Sequence, residues 1–375
     1  MPDEGTHEPL SLLFIHPSDE LYGADRMLIE ILEAMPESLR RSAEFWLPTD
    51  LPHGAMRLCD ELEQRDAVVR HVDLPIMRRS LRTPGGLVRL LGRAWRLYRT
   101  LRRVRPEAVY CTTSAAFLGA PVARAARVPL VIGHVQELWT RGDRLVLGPV
   151  ARSTHRMVAI SNAVRDNLPE ELRDKTTVVP NATPAPSRVE VLDGRTGPLR
   201  FVVASRWNAW KGHRTLLEAW DRLEVPGELV VLGGPPGSGV SVDVPVLVSQ
   251  LRHPESVCIL GEVADAGARL EEADVVVMPS DSPEPFGLVA IEAFARGRPV
   301  IGSGAGGLLD IVTDGVDGWL YPPGDAAALA ELLAGLTRAQ VTRAGRAARA
   351  TYESRFTTQR YAADWLAAVE LVPQP

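Results

Sequence analysis

The sequence predicts an α/β protein built from two doubly wound parallel-sheet domains. Short runs of β-branched and apolar residues alternate with amphipathic helical patterns, which is typical of parallel sheets covered by helices. The length of 375 residues exceeds that of one ordinary domain. A segment rich in proline and glycine interrupts the alternation near the middle. We therefore expect a first domain at 1–182, a linker at 183–198, a second domain at 199–357 and a C-terminal helix at 358–375.

The first domain begins with the apolar run SLLFIH, which is followed by a polar loop and an amphipathic helix. The same order then recurs. Predicted strands are Leu10–His16, Ala43–Leu47, Val68–Val72, Ala108–Thr112, Leu130–His134, Arg156–Asn162 and Thr176–Asn181. Predicted helices are Asp25–Met35, Met56–Gln64, Gly86–Arg103 and Ala116–Ala126, with a further helix after Asn162.

The second domain repeats the alternation. Its predicted strands are Leu199–Ala204, Glu228–Leu232, Val257–Leu260 and Asp274–Met278. After Gly307 the sequence predicts turns, a short strand and two closing helices. The loop GGPPGSG resembles a phosphate-binding loop only in its glycines, because its two prolines deny it a helix start.

The composition argues against a membrane-spanning, secreted, disulfide-rich or zinc-binding protein. No apolar run reaches the roughly 18 residues of a spanning helix, and the acidic, polar start MPDEGTHEP does not fit a secretory signal. We therefore expect a cytoplasmic protein. The three cysteines, Cys59, Cys111 and Cys258, are scattered and odd in number, which predicts neither a disulfide framework nor a zinc site. No nucleic-acid partner is expected.

A basic segment lies within residues 78–105. Ten arginines and no acidic residue occur between Ile76 and Pro106, although the whole chain has a net charge of −5. On a helix, four arginines fall near one face and apolar residues supply another. One interpretation is docking on an anionic membrane, at its inner face, or on a lipid-linked acceptor. The alternative is a sheet-covering helix with a basic outer face. The residues concerned are Arg89, Arg93, Arg96 and Arg103, and Leu87, Leu90, Leu91, Ala94, Leu97, Tyr98 and Leu101.

Two cations follow the first strand of the second domain. Only two of the 42 basic residues are lysine, Lys175 and Lys211, so a lysine can mark a site that needs a compact charge. Arg206 and Lys211 lie five residues apart on the predicted crossover from strand to helix. Together they can bind a pair of phosphates, although two solvated loop charges would give the same pattern.

The stretch 273–307 carries the strongest chemical pattern. A buried strand leads through a loop containing Pro283, Pro285 and Gly287 to a helix that is expected to begin near Phe286 or Gly287. Glu284 precedes the first turn, Glu292 lies one turn inside, and free N–H groups between them form an anion site. This order suits the sugar, diphosphate and ribose of a nucleotide sugar. The alternative is a solvated loop carboxylate and a surface helical charge.

These residues carry a resemblance to a known family. EPFGLVAIE, followed by EAFARGRPVIG and by Gly306 and Gly307, resembles the E-x(7)-E signature of family 4 of the retaining glycosyltransferases. The resemblance implies the GT-B fold, in which two Rossmann-like domains face a central cleft and the last helix crosses back to the first domain. It implies transfer of a hexose from a nucleotide donor with retention at the anomeric carbon.

The resemblance also implies roles for individual residues. YGADRML resembles the family's glycine loop, which places Gly23 near the donor phosphate, although Asp25 stands where the family usually has glutamate. The match gives His134, in GHVQELW, a contact with the donor sugar; a structural histidine is the alternative. Arg206 and Lys211 correspond to the family's diphosphate-binding pair. Glu284 is then assigned to the sugar and Glu292 to the ribose, with Pro285, Phe286, Gly287 and Leu288 lining the donor site.

The expected reaction needs no cofactor. No Asp-x-Asp motif occurs, so no metal site is predicted and protein groups should meet the charge of the leaving diphosphate. Within the family, UDP donors are commoner than GDP donors. The expected acceptor is a glycan, a lipid-linked molecule or a small molecule in polysaccharide or glycoconjugate biosynthesis. A sugar-nucleotide epimerase of the same fold and a catalytically silent nucleotide-binding homologue are the alternatives.

Overall fold

Two parallel sheets organise the chain in the computed structural model, which describes residues 12–21, 23–50, 57–78, 83–224, 227–237 and 239–369. The chain divides into two compact units. Unit 1 comprises Met1–Asn181 together with Tyr361–Pro375, and unit 2 comprises Ala182–Arg360. Each unit contains one sheet.

The sheet of unit 1 has seven parallel strands in the order β3-β2-β1-β4-β5-β6-β7. The chain builds outwards from β1 in one direction, then returns to β1's other side through β4, so the sheet is doubly wound. The strands are β1 (Leu12–Ile15), β2 (Ala43–Pro48), β3 (Val68–Val72), β4 (Ala108–Cys111), β5 (Leu130–Val135), β6 (Arg156–Ala159) and β7 (Thr176–Val178).

The helices of unit 1 cover both faces of that sheet. The first packs against the third and the fourth against the fifth. Helix bounds are α1 (Gly23–Ala34), α2 (Glu37–Arg41), α3 (Leu58–Glu63), α4 (Pro84–Val104), α5 (Gly119–Ala125), α6 (Arg141–Ala151), α7 (Asn162–Asn167) and α8 (Glu170–Arg173). The central strands are fully buried, which explains why they are continuous apolar runs in the sequence.

The sheet of unit 2 has six parallel strands in the order β10-β9-β8-β11-β12-β13. Here the chain reverses direction across the sheet between β8 and β11. The strands are β8 (Arg200–Ala204), β9 (Glu228–Leu232), β10 (Val257–Gly261), β11 (Val275–Met278), β12 (Val300–Ser303) and β13 (Gly318–Tyr321).

The helices of unit 2 follow its strands one by one. Their bounds are α9 (His213–Asp221), α10 (Val244–Ser249), α11 (Ala266–Glu272), α12 (Leu288–Ala295), α13 (Leu308–Ile311), α14 (Ala326–Gly335) and α15 (Arg338–Arg355). The final helix, α16 (Thr358–Val369), begins in unit 2 and continues as part of unit 1. There Trp365 is fully buried and its indole N–H donates to the Tyr110 hydroxyl at 3.1 Å.

The predicted doubly wound α/β architecture is confirmed, whereas the prediction of two closing helices is wrong. Three helices end the described chain, because Leu336 interrupts the pattern and Thr337 caps α15 through a reciprocal capping box with Gln340. Helix α6 was also not predicted. It begins at a second capping box, between Thr140 and Asp143. The predicted linker 183–198 contains no helix or strand and belongs to unit 2.

Helix α4 presents a different face to solvent from the predicted one. Arg93, predicted on the basic outer face, is 9% exposed, and its guanidinium bonds to Asp50 and Asp73. Leu87 and Leu91, predicted with the inward apolar residues, are 55% and 62% exposed. The helix lies rotated relative to the sequence-based expectation because two acidic loop residues neutralise Arg93 against the protein.

Candidate active site

The candidate site lies at the carboxyl edge of the sheet in unit 2, where the strand order reverses. Strands β8 and β11 are neighbours there although 70 residues separate them in sequence. Open α/β sheets bind ligands outside the carboxyl ends of strands at such a reversal. The loop after β8 carries Arg206 and Lys211, and the loop after β11 carries Glu284.

Lys211 and Glu284 meet at this edge. The Lys211 ammonium lies 2.7 Å from Oε1 of Glu284, and the two side chains are 21% and 6% exposed. A pair so little exposed is screened by solvent far less than a surface ion pair. The structure therefore brings together two residues that were selected from sequence for the same ligand.

Two further residues hold this ion pair, and neither was predicted from the sequence. The Ser280 hydroxyl donates to the same Oε1 of Glu284 at 2.5 Å. The Lys211 ammonium lies 4.2 Å from the ring centroid of Trp210, which is a cation–π contact. Two signals in the sequence could have identified these residues. Trp210 is adjacent to Lys211, and Ser280 lies just after a buried strand.

The backbone around Glu284 is fixed by the loop after β12. Glu284 forms an isolated parallel bridge with Gly306, and the Gly307 N–H donates to the Glu284 carbonyl at 2.7 Å. Gly306 has a φ of +65°, and a Cβ there would lie 2.2 Å from the Glu284 carbonyl oxygen. Only glycine fits this conformation and this spacing without strain.

Helix α12 begins directly behind Glu284, as predicted. Gly287 precedes its first residue with a φ of +122°, which L-residues other than glycine rarely adopt. The first N–H groups of an α-helix have no acceptor within the helix, and the helix dipole is positive there. Leu288, half-buried, supplies the first of these N–H groups.

The remaining predicted residues of the donor site have different surroundings. The Phe286 ring is 3% exposed and packs edge-on against Phe356, so its side chain belongs to the core. Pro285 and Glu292 are half-buried, the latter in the second turn of α12. Arg206 is exposed two residues beyond β8. Lys211 and Glu284 therefore form the organised centre of the site.

His134 and Gly23 lie in unit 1. His134 is fully buried in β5, and its Nδ1 lies 3.1 Å from the Tyr110 hydroxyl. Burial lowers the pKa of His134 to about 3, so the imidazole is neutral at physiological pH. Its Nε2 has no hydrogen-bond partner among the described residues. Gly23 is the half-buried first residue of α1.

A second polar cluster occupies the strand-order reversal of unit 1, and the sequence analysis did not identify it. The buried His16 imidazole contacts the Thr112 hydroxyl through Nδ1 and the Asp25 carboxylate through Nε2, both at 2.7 Å. Ser18 donates to the same carboxylate. These bonds tie the ends of β1 and β4 to the first turn of α1. Asp25, which replaces the family's glutamate, is therefore held inside the unit.

One group of side chains among the described residues has the proximity of metal ligands. Atoms of Asp19, Cys59 and His71 lie within 4.8 Å of one another. Burial raises the pKa of the Cys59 thiol to about 12, so it is not a thiolate. Burial disfavours ionisation of Asp19, but hydrogen bonds from His71, the Cys59 N–H and Arg57 outweigh it and lower the pKa of that carboxyl. The group is a satisfied hydrogen-bond network.

Two family models match consecutive parts of the chain. The model described as "Glycosyltransferase Family 4" matches residues 53–185, and the model described as "Glycosyl transferases group 1" matches residues 190–353. The second match contains Lys211 and Glu284.

Curated relatives match shorter segments. A phosphatidyl-myo-inositol mannosyltransferase of Mycobacterium leprae is 43% identical over 91 residues, 24% of this chain and 24% of that protein. A D-inositol 3-phosphate glycosyltransferase of Xylanimonas cellulosilytica is 36% identical over 176 residues, 46% of this chain and 40% of that protein. The chain thus spans a quarter to two fifths of the length of these two relatives.

Solved structures match nearly the whole chain. The Anabaena protein HepE, solved with UDP and glucose, aligns with a TM-score of 0.77 at 22% identity, over 97% of this chain and 100% of that chain. A glycosyltransferase from Rickettsia africae aligns with a TM-score of 0.75 at 18% identity, over 96% and 98%. At these identities the likeness establishes the fold.

Proposed function

The chain belongs to the family 4 glycosyltransferases of the GT-B fold, and from that premise we propose that it transfers a hexose from a nucleoside diphosphate sugar to an acceptor hydroxyl. Transfer proceeds with retention at the anomeric carbon and without a metal ion. The observation that carries the proposal is the Lys211–Glu284 pair, 2.7 Å apart, beside the first turn of α12.

The proposed donor fits this arrangement group by group. The diphosphate takes its charge partners from Lys211, Arg206 and the N–H groups at the start of α12. Glu284 accepts hydrogen bonds from sugar hydroxyls, and Glu292 from the ribose. Such preorganised donors stabilise the leaving charge by about 3–4 kcal/mol each. For Gly23 and His134, which lie in unit 1, the roles near the donor phosphate and sugar remain those that the family resemblance implies.

The proposed reaction is a front-face displacement. The bond between the anomeric carbon and the β-phosphate oxygen breaks, and the acceptor oxygen bonds to that carbon from the same face. The acceptor's proton passes to the departing phosphate oxygen. Because the departing phosphate oxygen takes the acceptor's proton, no separate protein base is required. The charge of the leaving nucleoside diphosphate is met by Lys211 and the α12 N–H groups.

UDP is the proposed nucleotide ahead of GDP. Structures of the HepE neighbour contain UDP, UDP with glucose, and UDP-glucose, which supports this choice. The names of the curated relatives support a hydroxylated acceptor, because they contain inositol phosphate or phosphatidyl-inositol. The acceptor proposed for this chain is a glycan, a lipid-linked molecule or a small molecule.

The proposal is tested by transfer from radiolabelled UDP-sugars to a panel of hydroxylated acceptors. We expect Lys211→Ala and Arg206→Ala each to lower transfer by about 100-fold or more while the chain stays folded. Lys211→Ala should also lower the thermal midpoint, because it leaves the Glu284 carboxylate without its partner. Arg343→Ala, an exposed arginine of α15, is the matched control and should transfer normally. Full activity of Lys211→Ala would contradict the diphosphate assignment.

The alternatives give different products in the same assay. An epimerase of this fold converts the nucleotide sugar when no acceptor is present, whereas a transferase requires the acceptor. A silent nucleotide-binding homologue binds UDP but forms no product with any acceptor. Acceptor-independent conversion would replace the proposed function with the first alternative.

A further inference from the structure

Helix α4 exposes an apolar stripe that no described residue covers. Leu87, Val88, Leu91 and Trp95 are 55%, 70%, 62% and 61% exposed. At 100° per residue these four positions lie within about 100° of one another on the helix. Trp95 also stacks on Tyr98, with ring centroids 5.4 Å apart. Single exposed apolar side chains are ordinary, but a contiguous stripe of four indicates a binding surface.

Arginines surround this stripe and extend it towards the end of the helix. Four exposed arginines, Arg89, Arg99, Arg102 and Arg103, form no ion pair with any residue in the described parts of the chain. The helix contains no acidic residue. This outward face therefore combines apolar side chains with uncompensated positive charge.

The opposite side of α4 explains why this face points outwards. Arg93 bonds to Asp50 and Asp73, and Arg96 also pairs with Asp73. Leu97 and Leu101 are buried against unit 1. Polar and apolar contacts together fix the rotation of the helix, so the exposed stripe is a set feature of the structure.

We propose that the outward face of α4 binds the surface of an anionic lipid bilayer. Leu87, Val88, Leu91 and Trp95 enter the boundary between headgroups and acyl chains, and the four arginines contact anionic headgroups. Helices with aromatic and aliphatic residues on one face and basic residues beside them bind membranes in this manner. No helix within the described residues is long and apolar enough to cross a bilayer, so α4 lies on the surface.

Charge complementarity favours a bilayer over a protein partner. Helix α4 contains no acidic residue and arginines continue the line of the apolar stripe, so this face complements a surface that is densely negative, as an anionic bilayer is. Each arginine near an anionic membrane strengthens binding by about fivefold. The proposal rests on α4 alone and does not depend on the proposed transfer reaction.

The test is cosedimentation of the whole chain with vesicles of phosphatidylcholine alone or mixed with phosphatidylglycerol. We expect binding to the mixed vesicles that is at least about tenfold stronger and that weakens in about 0.5 M NaCl. Two multiple variants should each weaken binding to the mixed vesicles by about tenfold or more. The first combines Leu91→Ser and Trp95→Ser, and the second combines Arg99→Gln, Arg102→Gln and Arg103→Gln.

Matched controls come from unit 2. Val240→Ser changes an apolar residue that is 77% exposed, and Arg188→Gln with Arg343→Gln removes two exposed arginines. These controls should bind vesicles like the wild type. Transfer to a water-soluble acceptor should be unchanged in the α4 variants, so loss of membrane binding is separable from loss of catalysis.

Three results would overturn the proposal: equal binding to both kinds of vesicle, no binding to either, or full binding by the two α4 variants. Light scattering supplies a further check. If the wild type is a dimer and Leu91→Ser with Trp95→Ser is a monomer, the stripe is an interface between two copies of the chain and the membrane assignment is wrong.

Discussion

Lys211 binds a carboxylate before it binds any proposed donor. Its ammonium is shared between the Trp210 ring and the Glu284 carboxylate. We propose that a diphosphate that takes the ammonium displaces that carboxylate, which then becomes available to sugar hydroxyls. The Ser280 hydroxyl bond remains to hold Glu284 in place. In the proposed function, the ion pair thus couples recognition of the diphosphate to recognition of the sugar at the scale of single residues.

The close approach of Gly306 to the Glu284 backbone leads to a prediction for stability and binding. We expect Gly306→Ala to lower the free energy of unfolding by about 3 kcal/mol or more, since it adds a steric clash with the Glu284 carbonyl to the strain of positive φ. Binding of a UDP-sugar, whose hydroxyls Glu284 is proposed to hold, should also weaken because Glu284 must move. Urea unfolding and calorimetry measure the two effects.

Gly324→Ala is the matched control for that variant. Gly324 has a φ of +76° and nothing lies within 4 Å of the position a Cβ would occupy. Gly324→Ala should lower the free energy of unfolding only by the conformational strain, about 1 kcal/mol, and should leave nucleotide binding unchanged. Equal losses in the two variants would show that the close approach to Glu284 does not matter.

At the scale of elements, α1 carries a half-buried acid, Glu30, whose charge influences Tyr361 in α16. Burial, followed by the charge of Glu33, raises the pKa of Glu30 in α1 to about 7. Burial, followed by the charges of Tyr110 and then Glu30, raises the pKa of Tyr361 in α16 well above its usual value. Oε2 of Glu30 is buried without a hydrogen-bond partner among the described residues. The folded protein therefore favours protonated Glu30.

This shift predicts the direction of a pH dependence. The folded pKa of Glu30 lies above the unfolded value near 4.5, so the folded state binds more protons between these values. Stability should fall as pH rises from about 4.5 through 7. Glu30→Gln should remove this pH dependence. The free energy of unfolding of the variant, taken relative to that of the wild type, should therefore rise by about 2 kcal/mol between pH 5 and pH 8.

Thermal unfolding at pH 5 and pH 8 measures the effect of Glu30→Gln. Glu63→Gln, an exposed glutamate at the end of α3, is the control and should leave the pH profile unchanged. If Glu30→Gln leaves the wild-type slope intact, the half-buried acid does not titrate between the two pH values.

Helix α4 shows what periodicity predicts for an element and what it does not. The spacing of its leucines and arginines predicted a two-faced helix, and that helix is present. It did not predict which apolar residues face the sheet. The orientation depends on Asp50 and Asp73, which lie at least 20 residues away in sequence and were not linked to Arg93.

For the whole molecule, the alternation of strands and helices in two parallel sheets was the most predictable feature, although β12 was not predicted. Buried parallel strands are continuous apolar runs, and the loops after β8 and β11 carried the recognisable charges. The missed helix α6 contains an internal proline, Pro149, and two glycines, which weaken the helical pattern. The break between α14 and α15 follows Gly335, the last residue of α14, and Thr337 then caps α15 through its capping box with Gln340.

Long-range pairing limited the prediction of the site. Lys211 and Glu284 could be selected because both follow buried strands and both suit a phosphorylated sugar. The contact of Gly306 with the Glu284 backbone could not be read from sequence, because it depends on how the loop after β12 meets the loop after β11. The cluster of His16, Asp25 and Thr112 likewise depends on long-range pairing, because His16 and Thr112 are 96 positions apart in sequence.

Calorimetric titration of UDP into wild type, Lys211→Ala and Glu284→Gln tests the central claim, that one ammonium serves the carboxylate and the diphosphate in turn. Lys211→Ala should weaken UDP by about tenfold or more, because a charged hydrogen bond is lost. Glu284→Gln should tighten UDP severalfold, since the competing charge is gone, and UMP should be much less affected by either change. Weaker UDP binding in both variants, or no change in either, would contradict the claim.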